Sequence, residues 1–193
     1  MVSVSIMVII TAAIVFRYRS FDSTLLLKTL SYDIGFSVRQ AQSYSLGVRQ
    51  EEGGTFAFDA AYGVSFTPGS TQYSLFQYTN STDPSAVPRY DNTGNHTAED
   101  VEIFTLGRSY VIDEICYTTS GGETCDDGSS LTRLDISFRR PEYTALFYVE
   151  GSGGPSPSSI ESASVRITSP TGNSYGEIEV GYAGQISVSL VEE

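Results

Sequence analysis

Hydrophobic and polar residues change rhythm twice along this chain. From Met1 to Phe16 (MVSVSIMVIITAAIVF) there is no charge, Pro or Gly, and Val, Ile and Met fall on every face of a helix. A segment apolar all round belongs in lipid or in a packed bundle. After Arg17 and Arg19 the apolar positions Leu27, Leu30, Ile34, Val38 and Ala41 keep the three-and-four spacing of a helix with one buried stripe. Lys28, Asp33, Arg39 and Gln42 lie mostly off that stripe. Gly35 costs such a helix about 1 kcal/mol relative to Ala. Gly47 and then Glu51, Glu52, Gly53 and Gly54 supply a stop. The pattern therefore predicts one helix over residues 1–50, with an apolar part at 1–16 and an amphipathic part at 17–50.

Beyond Gly54 the period becomes two, predicting a β-rich head over residues 51–193. Phe56 and Phe58 alternate with polar or small neighbours, and Tyr62, Val64 and Phe66 continue the pattern up to the Pro68-Gly69 turn. Further strands are expected at Tyr73–Tyr78, Val101–Leu106 and Tyr110–Tyr117. Between them, the long Asn-, Asp-, Pro- and Ser-rich stretch from Thr79 to Asp100 either covers something or moves. The cleanest alternation runs from Leu131 to Phe138: Leu134, Ile136 and Phe138 face one way, and Arg133, Asp135 and Ser137 the other, as in a half-buried antiparallel strand. Residues 151–159 (GSGGPSPSS) read as a flexible surface loop. After them comes a three-strand meander built on Ala163, Val165 and Ile167, then Ile178, Val180 and Tyr182, then Ile186, Val188 and Leu190. A three-strand sheet with an apolar face needs a cover, and the striped helix from Leu27 to Val48 has the length for it.

Charge divides the chain in the same place. Residues 1–50 carry five cations against Asp22 and Asp33, a net of +3, so the total of −12 leaves −15 for the head. A head that acidic repels phosphate backbones, which argues against nucleic acid as a partner. With one Lys among its basic residues and a head rich in Ser, Thr, Gly, Asn and Tyr, the chain reads as exported. Cys116 and Cys125 are its only cysteines. In an oxidising compartment a bridge between them would close a Gly-rich loop and stabilise it by roughly 2–3 kcal/mol; two unpaired thiols are the alternative.

Catalytic chemistry finds little footing. His96 stands in an Asn-rich stretch without a local nucleophile or orienting carboxylate, and Asp59, Asp113 and Asp135 are single strand carboxylates. No enzyme is expected, and no cofactor. Calcium is the one ligand with a candidate set: Glu123, Asp126 and Asp127 crowd the Cys-bracketed loop, and Asp91, Asn92, Asn95, Glu99 and Asp100 crowd the long one. Neither has the spacing of a recognised calcium motif. Two Asn-X-Thr triplets, at Asn80 and Asn95, read as loop sequence.

The segment VSVSIMVIITAAIV resembles the N-terminal helix of type IV pilins and type II secretion pseudopilins. The stretch SYDIGFSVRQAQSYSLGVR (Ser31–Arg49) is similar to the second half of that helix in the H-type minor pseudopilins, and the ending ASVRITSPTGNSYGEIEVGYAGQISV resembles their closing strands. The resemblance implies an α+β pilin fold, a long N-terminal helix packed on an antiparallel β-sheet head. It also implies a structural subunit of a type IV pilus or type II secretion-like filament. Its partners would be other pilin or pseudopilin subunits through the N-terminal helix, membrane lipid and an inner-membrane assembly platform. The subunit would be single-pass in the inner (cytoplasmic) membrane with its head outside the cytoplasm, then part of a periplasmic or extracellular filament. The family's processing motif, a Gly before a short apolar run and a Glu, does not appear. Sixteen residues at about 1.5 Å each also fall short of a hydrocarbon core of about 30 Å, so further apolar sequence is expected before Met1. Arg17 and Arg19 would hold the head inside by the positive-inside tendency, unless a cleaved leader outweighs them. The alternatives are a membrane-anchored extracellular β-domain binding glycan or protein, with Tyr110, Tyr117, Tyr143, Tyr148, Tyr175 and Tyr182 as candidate contacts, and a cleaved secretory signal at residues 1–13.

Overall fold

In the computed structural model, residues 2–47, 60–80, 83, 86–92, 96–151, 159–170 and 174–192 are described. Asp59, the Phe56/Phe58 alternation, the Glu51–Gly54 stop and most of the 151–159 loop lie outside them. Among the described residues one helix, α1 (Val2–Leu46), precedes ten strands: β1 (Ala61–Phe66), β2 (Gln72–Asn80), β3 (His96–Thr105), β4 (Val111–Thr119), β5 (Gly122–Asp126), β6 (Leu131–Phe138), β7 (Ala145–Gly151), β8 (Ser162–Thr168), β9 (Ser174–Gly181) and β10 (Ile186–Glu192).

The strands form two antiparallel five-stranded sheets, ordered β3-β2-β1-β6-β7 and β10-β9-β8-β4-β5. This corrects the expected α+β pilin fold with a helix on one antiparallel sheet: the described residues are mostly β and form two sheets. The C-terminal meander does not stand alone as a three-strand unit. Val111 of β4 pairs with Thr168 of β8, and Cys116 with Ser164, so mid-chain strands extend the meander into the second sheet, while β1, β2, β3, β6 and β7 build the first. Pairings across fifty residues are fixed by burial of the facing surfaces, which a local alternation does not reveal.

The two sheets and the helix share one core. Leu27, Ile34, Val38 and Ala41 of α1 lie with Val64, Phe66 and Leu75 of the first sheet and with Val165, Ile167, Ile178 and Val180 of the second. Leu30 is partly buried against the same cluster. Gly35 is where β10 approaches: a side chain there would meet Val188 Cγ2 at 3.1 Å. The helical cost of that glycine is thus offset by close packing on the sheet. At the other end, Gly47 N–H closes on Ser43 O at 3.0 Å. The Arg140 guanidinium donates to the carbonyls of Leu46 and Gly47, placing a cation at the negative end of the helix.

The outer face of the first sheet is covered as well. Ala61, Phe76, Tyr78 and Ala98 form a second apolar cluster, with Tyr90 packed on it. The long 79–100 stretch therefore covers the sheet at Tyr90, and its end becomes β3. β6 is accordingly buried on both faces rather than half-buried. Asp135 and Ser137, which the alternation turns toward solvent, are fully buried. The Asp135 carboxylate accepts from Ser65 Oγ at 2.6 Å, from the Tyr90 backbone N–H at 2.8 Å and from Arg133 Nε at 3.2 Å, so its burial is matched by donors.

Among the described residues no helix is long and apolar enough to cross a membrane. The single-pass location in an inner membrane is corrected on that finding. The described exposed apolar side chains of α1 near its start occupy residues 3–12, about 15 Å of helix against a hydrocarbon core of about 30 Å.

Candidate assembly surface

α1 has two parts with opposite environments. From Leu27 onward its stripe is inserted into the core, whereas every residue from 3 to 12 is exposed. In that exposed part Val4, Ile6, Met7, Val8, Ile9 and Ile10 are 52–73% accessible, and they point in all directions around the axis. The run carries no Gly or Pro to break a helix, and its exposure shows that none of the described strands packs against it. Isolated exposed apolar residues are ordinary, whereas a contiguous collar of six is not.

The five stripe residues expected to pack are brought together, Leu27, Ile34, Val38 and Ala41 fully buried and Leu30 at the margin. The outward side of α1 carries apolar residues that the single-stripe reading misses: Leu25, Tyr32 and Phe36 are exposed. Their spacing of seven and then four residues was the available signal, set opposite the core stripe.

Cys116 and Cys125 form a disulfide, directly opposite each other in the β4–β5 register. The Gly-rich loop they bracket is a β-hairpin turning at Ser120-Gly121, an element whose apolar signal was too weak to read. The three carboxylates put forward for calcium go separate ways. Glu123 lies 3.6 Å from the Arg166 guanidinium. Asp126 accepts from the N–H groups of Gly128, Ser130 and Leu131 and from the hydroxyls of Ser129 and Ser130. These donors, led by the Ser130 hydroxyl, hold the Asp126 carboxyl well below the usual carboxylate range. Asp127 accepts from Ser129 N–H at 3.3 Å. Asp126 and Asp127 thus act as turn acceptors of the β5–β6 connection. The close ligand groupings among the described residues, Glu114 with both cysteines and Cys116 with Glu123 and Glu177, rely on sulfurs already committed to the disulfide. In the long loop, Asp91 pairs with Arg89, Asn92 accepts from Ala98 N–H and Asp100 accepts from Tyr90 OH, while Asn95 lies outside the described residues.

Among the other residues singled out, His96 begins β3 rather than lying in a loop, and the side chain itself is outside the described set. Asp113 accepts from Thr168 Oγ1 at 2.9 Å on the second sheet. The tyrosines divide: Tyr110 is buried, Tyr148 lies under Arg89 and Arg133, Tyr175 lies under Arg166, Tyr117 is half-buried, and Tyr143 and Tyr182 are exposed. Most of the set serves as sheet packing and cation–π platforms rather than one continuous face.

No family model matches this chain, and comparison with curated proteins and with solved structures finds no match.

Proposed function

We propose that this protein is a structural subunit of a pilus-like or secretion-like filament, without catalytic activity, whose copies assemble by packing the exposed apolar part of α1 together. The observation that carries this reading is the collar at Val4, Ile6, Met7, Val8, Ile9 and Ile10, exposed on every side of the helix. A groove on another protein would bury one side of such a rod. A bundle of like rods buries all of it, and each copy brings the same surface. Six side chains of this size gain on the order of 10 kcal/mol gross when removed from water, enough to hold subunits together after the entropic cost of association. The resemblance of the first fifty residues to pilins and pseudopilins points the same way. The head's net charge of −15 also supports a protein rather than a nucleic-acid partner.

The test is a spin label on Val8→Cys in the full chain. Assembly should immobilise the label, broaden its spectrum by dipolar coupling between copies, and shield it from a water-soluble relaxant. A sharp, accessible label at concentrations well above micromolar would refute the proposal.

A further inference from the structure

We propose that the open edge of β3 is a docking site for an extended, basic segment of another protein, which adds to the five-stranded first sheet as a further strand. The site is separate from the apolar collar of α1 and stands whether or not copies of the chain assemble.

Four strands end the two sheets, β3 and β7 in the first and β10 and β5 in the second. Three of them are shorter and tied down. β5 is five residues long and is held in its hairpin by the Cys116–Cys125 bridge. β7 has Ala145, Phe147 and Val149 buried, and its Ala145 N–H donates to Tyr182 O at 2.9 Å. Ile186, Val188 and Leu190 of β10 pack on the core, with α1 crossing close at Gly35. β3 differs from all three. At ten residues it is the longest strand among the described residues, and Thr97, Glu99, Asp100, Glu102, Ile103 and Thr105 are exposed.

The main chain of β3 presents hydrogen-bonding groups that no described strand takes up. Leu106 N–H donates to Thr71 O at 2.8 Å, and bonded pairs alternate with non-bonded ones along an antiparallel ladder. Ile103 and Thr105 therefore turn their N–H and C=O groups away from β2. Towards the start of the strand the outward Ala98 N–H is capped by Asn92 Oδ1 at 2.7 Å. Between the two lies a bulge, with Val101 as the extra residue, partly buried against the core. The open edge thus runs from Asp100 to Thr105, roughly 20 Å of strand.

Side chains directly opposite on paired strands share a face. Glu99 and Glu102 stand opposite Gln77 and Leu75, on the face turned towards the core and α1. Asp33 of α1 adds a carboxylate on that side, since its charge and that of Glu102 both bear on Tyr73. Asp100 and Ile103 stand opposite Phe76 and Ser74 on the other face. There Asp100 is engaged by the Tyr90 hydroxyl, which leaves Ile103, 54% exposed, as an apolar contact. A strand whose alternate residues are basic and apolar matches both faces at once. A second copy of β3 does not, because it would set carboxylates against carboxylates, and a phosphate backbone is repelled in the same way. Charge on an edge strand keeps like chains from pairing with it. The same charge admits an opposite one.

The test is the fluorescence anisotropy of a labelled peptide of alternating Lys and Val, about eight residues long, titrated with the full chain. The native chain should bind it. E99K/E102K should bind it about tenfold more weakly and should gain affinity for the matching Glu/Val peptide, which also shows that the variant is folded. A Lys/Val peptide with every backbone nitrogen methylated keeps its charge, loses its backbone donors and should not bind. Failure of the native chain to bind the Lys/Val peptide would overturn the proposal. So would equal binding of the methylated peptide, which means charge attraction without strand pairing, or equal binding by E99K/E102K, which means contact elsewhere.

Discussion

The hydroxyls of Ser37 on α1 and Tyr73 on β2 lie 3.1 Å apart inside the protein, tying the helix to the first sheet. Burial pushes the Tyr73 phenol up to about 12 from an ordinary 10.0. A phenol whose folded value is raised keeps its proton longer in the native state than in the unfolded one. Its contribution to stability is therefore complete below about pH 10 and is lost as pH rises from 10 toward 12. Denaturant titrations across this range should show a steep alkaline loss for the native chain and a shallower one for Tyr73→Phe.

Asp135 gives a pH dependence on the acid side. Burial is the largest influence on its carboxyl and pushes it above the ordinary 3.8, against the opposing pull of Arg133, Ser65 and the Tyr90 N–H. A raised carboxyl favours folding fully below its unfolded value, and that favour is lost as pH rises through the folded value. Asp135→Asn cannot ionise, so stability relative to wild type should shift in favour of the variant as pH rises above the ordinary carboxyl value of 3.8. The measurement is the difference in urea midpoint between the two proteins at each pH.

Strand positions were largely legible, and sheet membership was not. The alternation from Leu131 to Phe138 coincides with β6, and those at Ala163, Ile178 and Ile186 fall within β8, β9 and β10. Period-two patterning is local and survives in single segments. What escaped was the long-range pairing of β4 with β8, together with two strands that pair locally with their neighbours but lack a clean alternation, β5 inside the cysteine loop and β7. The charged residues of β6 misled for a related reason. Asp135 is buried because Tyr90, forty-five residues earlier, folds over it. At the candidate site the collar at 3–12 is visible in composition alone, whereas the ridge of Leu25, Tyr32 and Phe36 emerges once the opposite side is known to be buried.

Helix docking on the second sheet depends on Gly176. A Cβ there would run into the side chain of Ser31, which is fully buried and donates to Leu27 O at 2.8 Å. Gly176→Ala should therefore cost roughly 1–3 kcal/mol by overpacking. Combining it with Ser31→Ala removes the clashing hydroxyl and should recover part of that loss. Thermal melts of the two single variants and the double variant measure the coupling; strict additivity would contradict the contact.

The Cys116–Cys125 bridge closes a short loop, with a sequence separation of 9. Replacing both cysteines by Ala should lower stability by roughly 2–3 kcal/mol. The loss should appear in chemical denaturation under non-reducing conditions, with the helix signal in circular dichroism unchanged before the transition.

Sedimentation velocity of the full chain beside Ile6→Asp/Ile9→Asp examines the collar most directly. Two charges at these neighbouring collar positions, three residues apart on one face of the helix, should make helix-to-helix packing prohibitively costly while leaving the core stripe untouched. The native chain should sediment as a concentration-dependent series of large assemblies and the variant as a folded monomer. A native chain that stays monomeric across the same concentrations, or a variant that assembles equally well, would contradict the account.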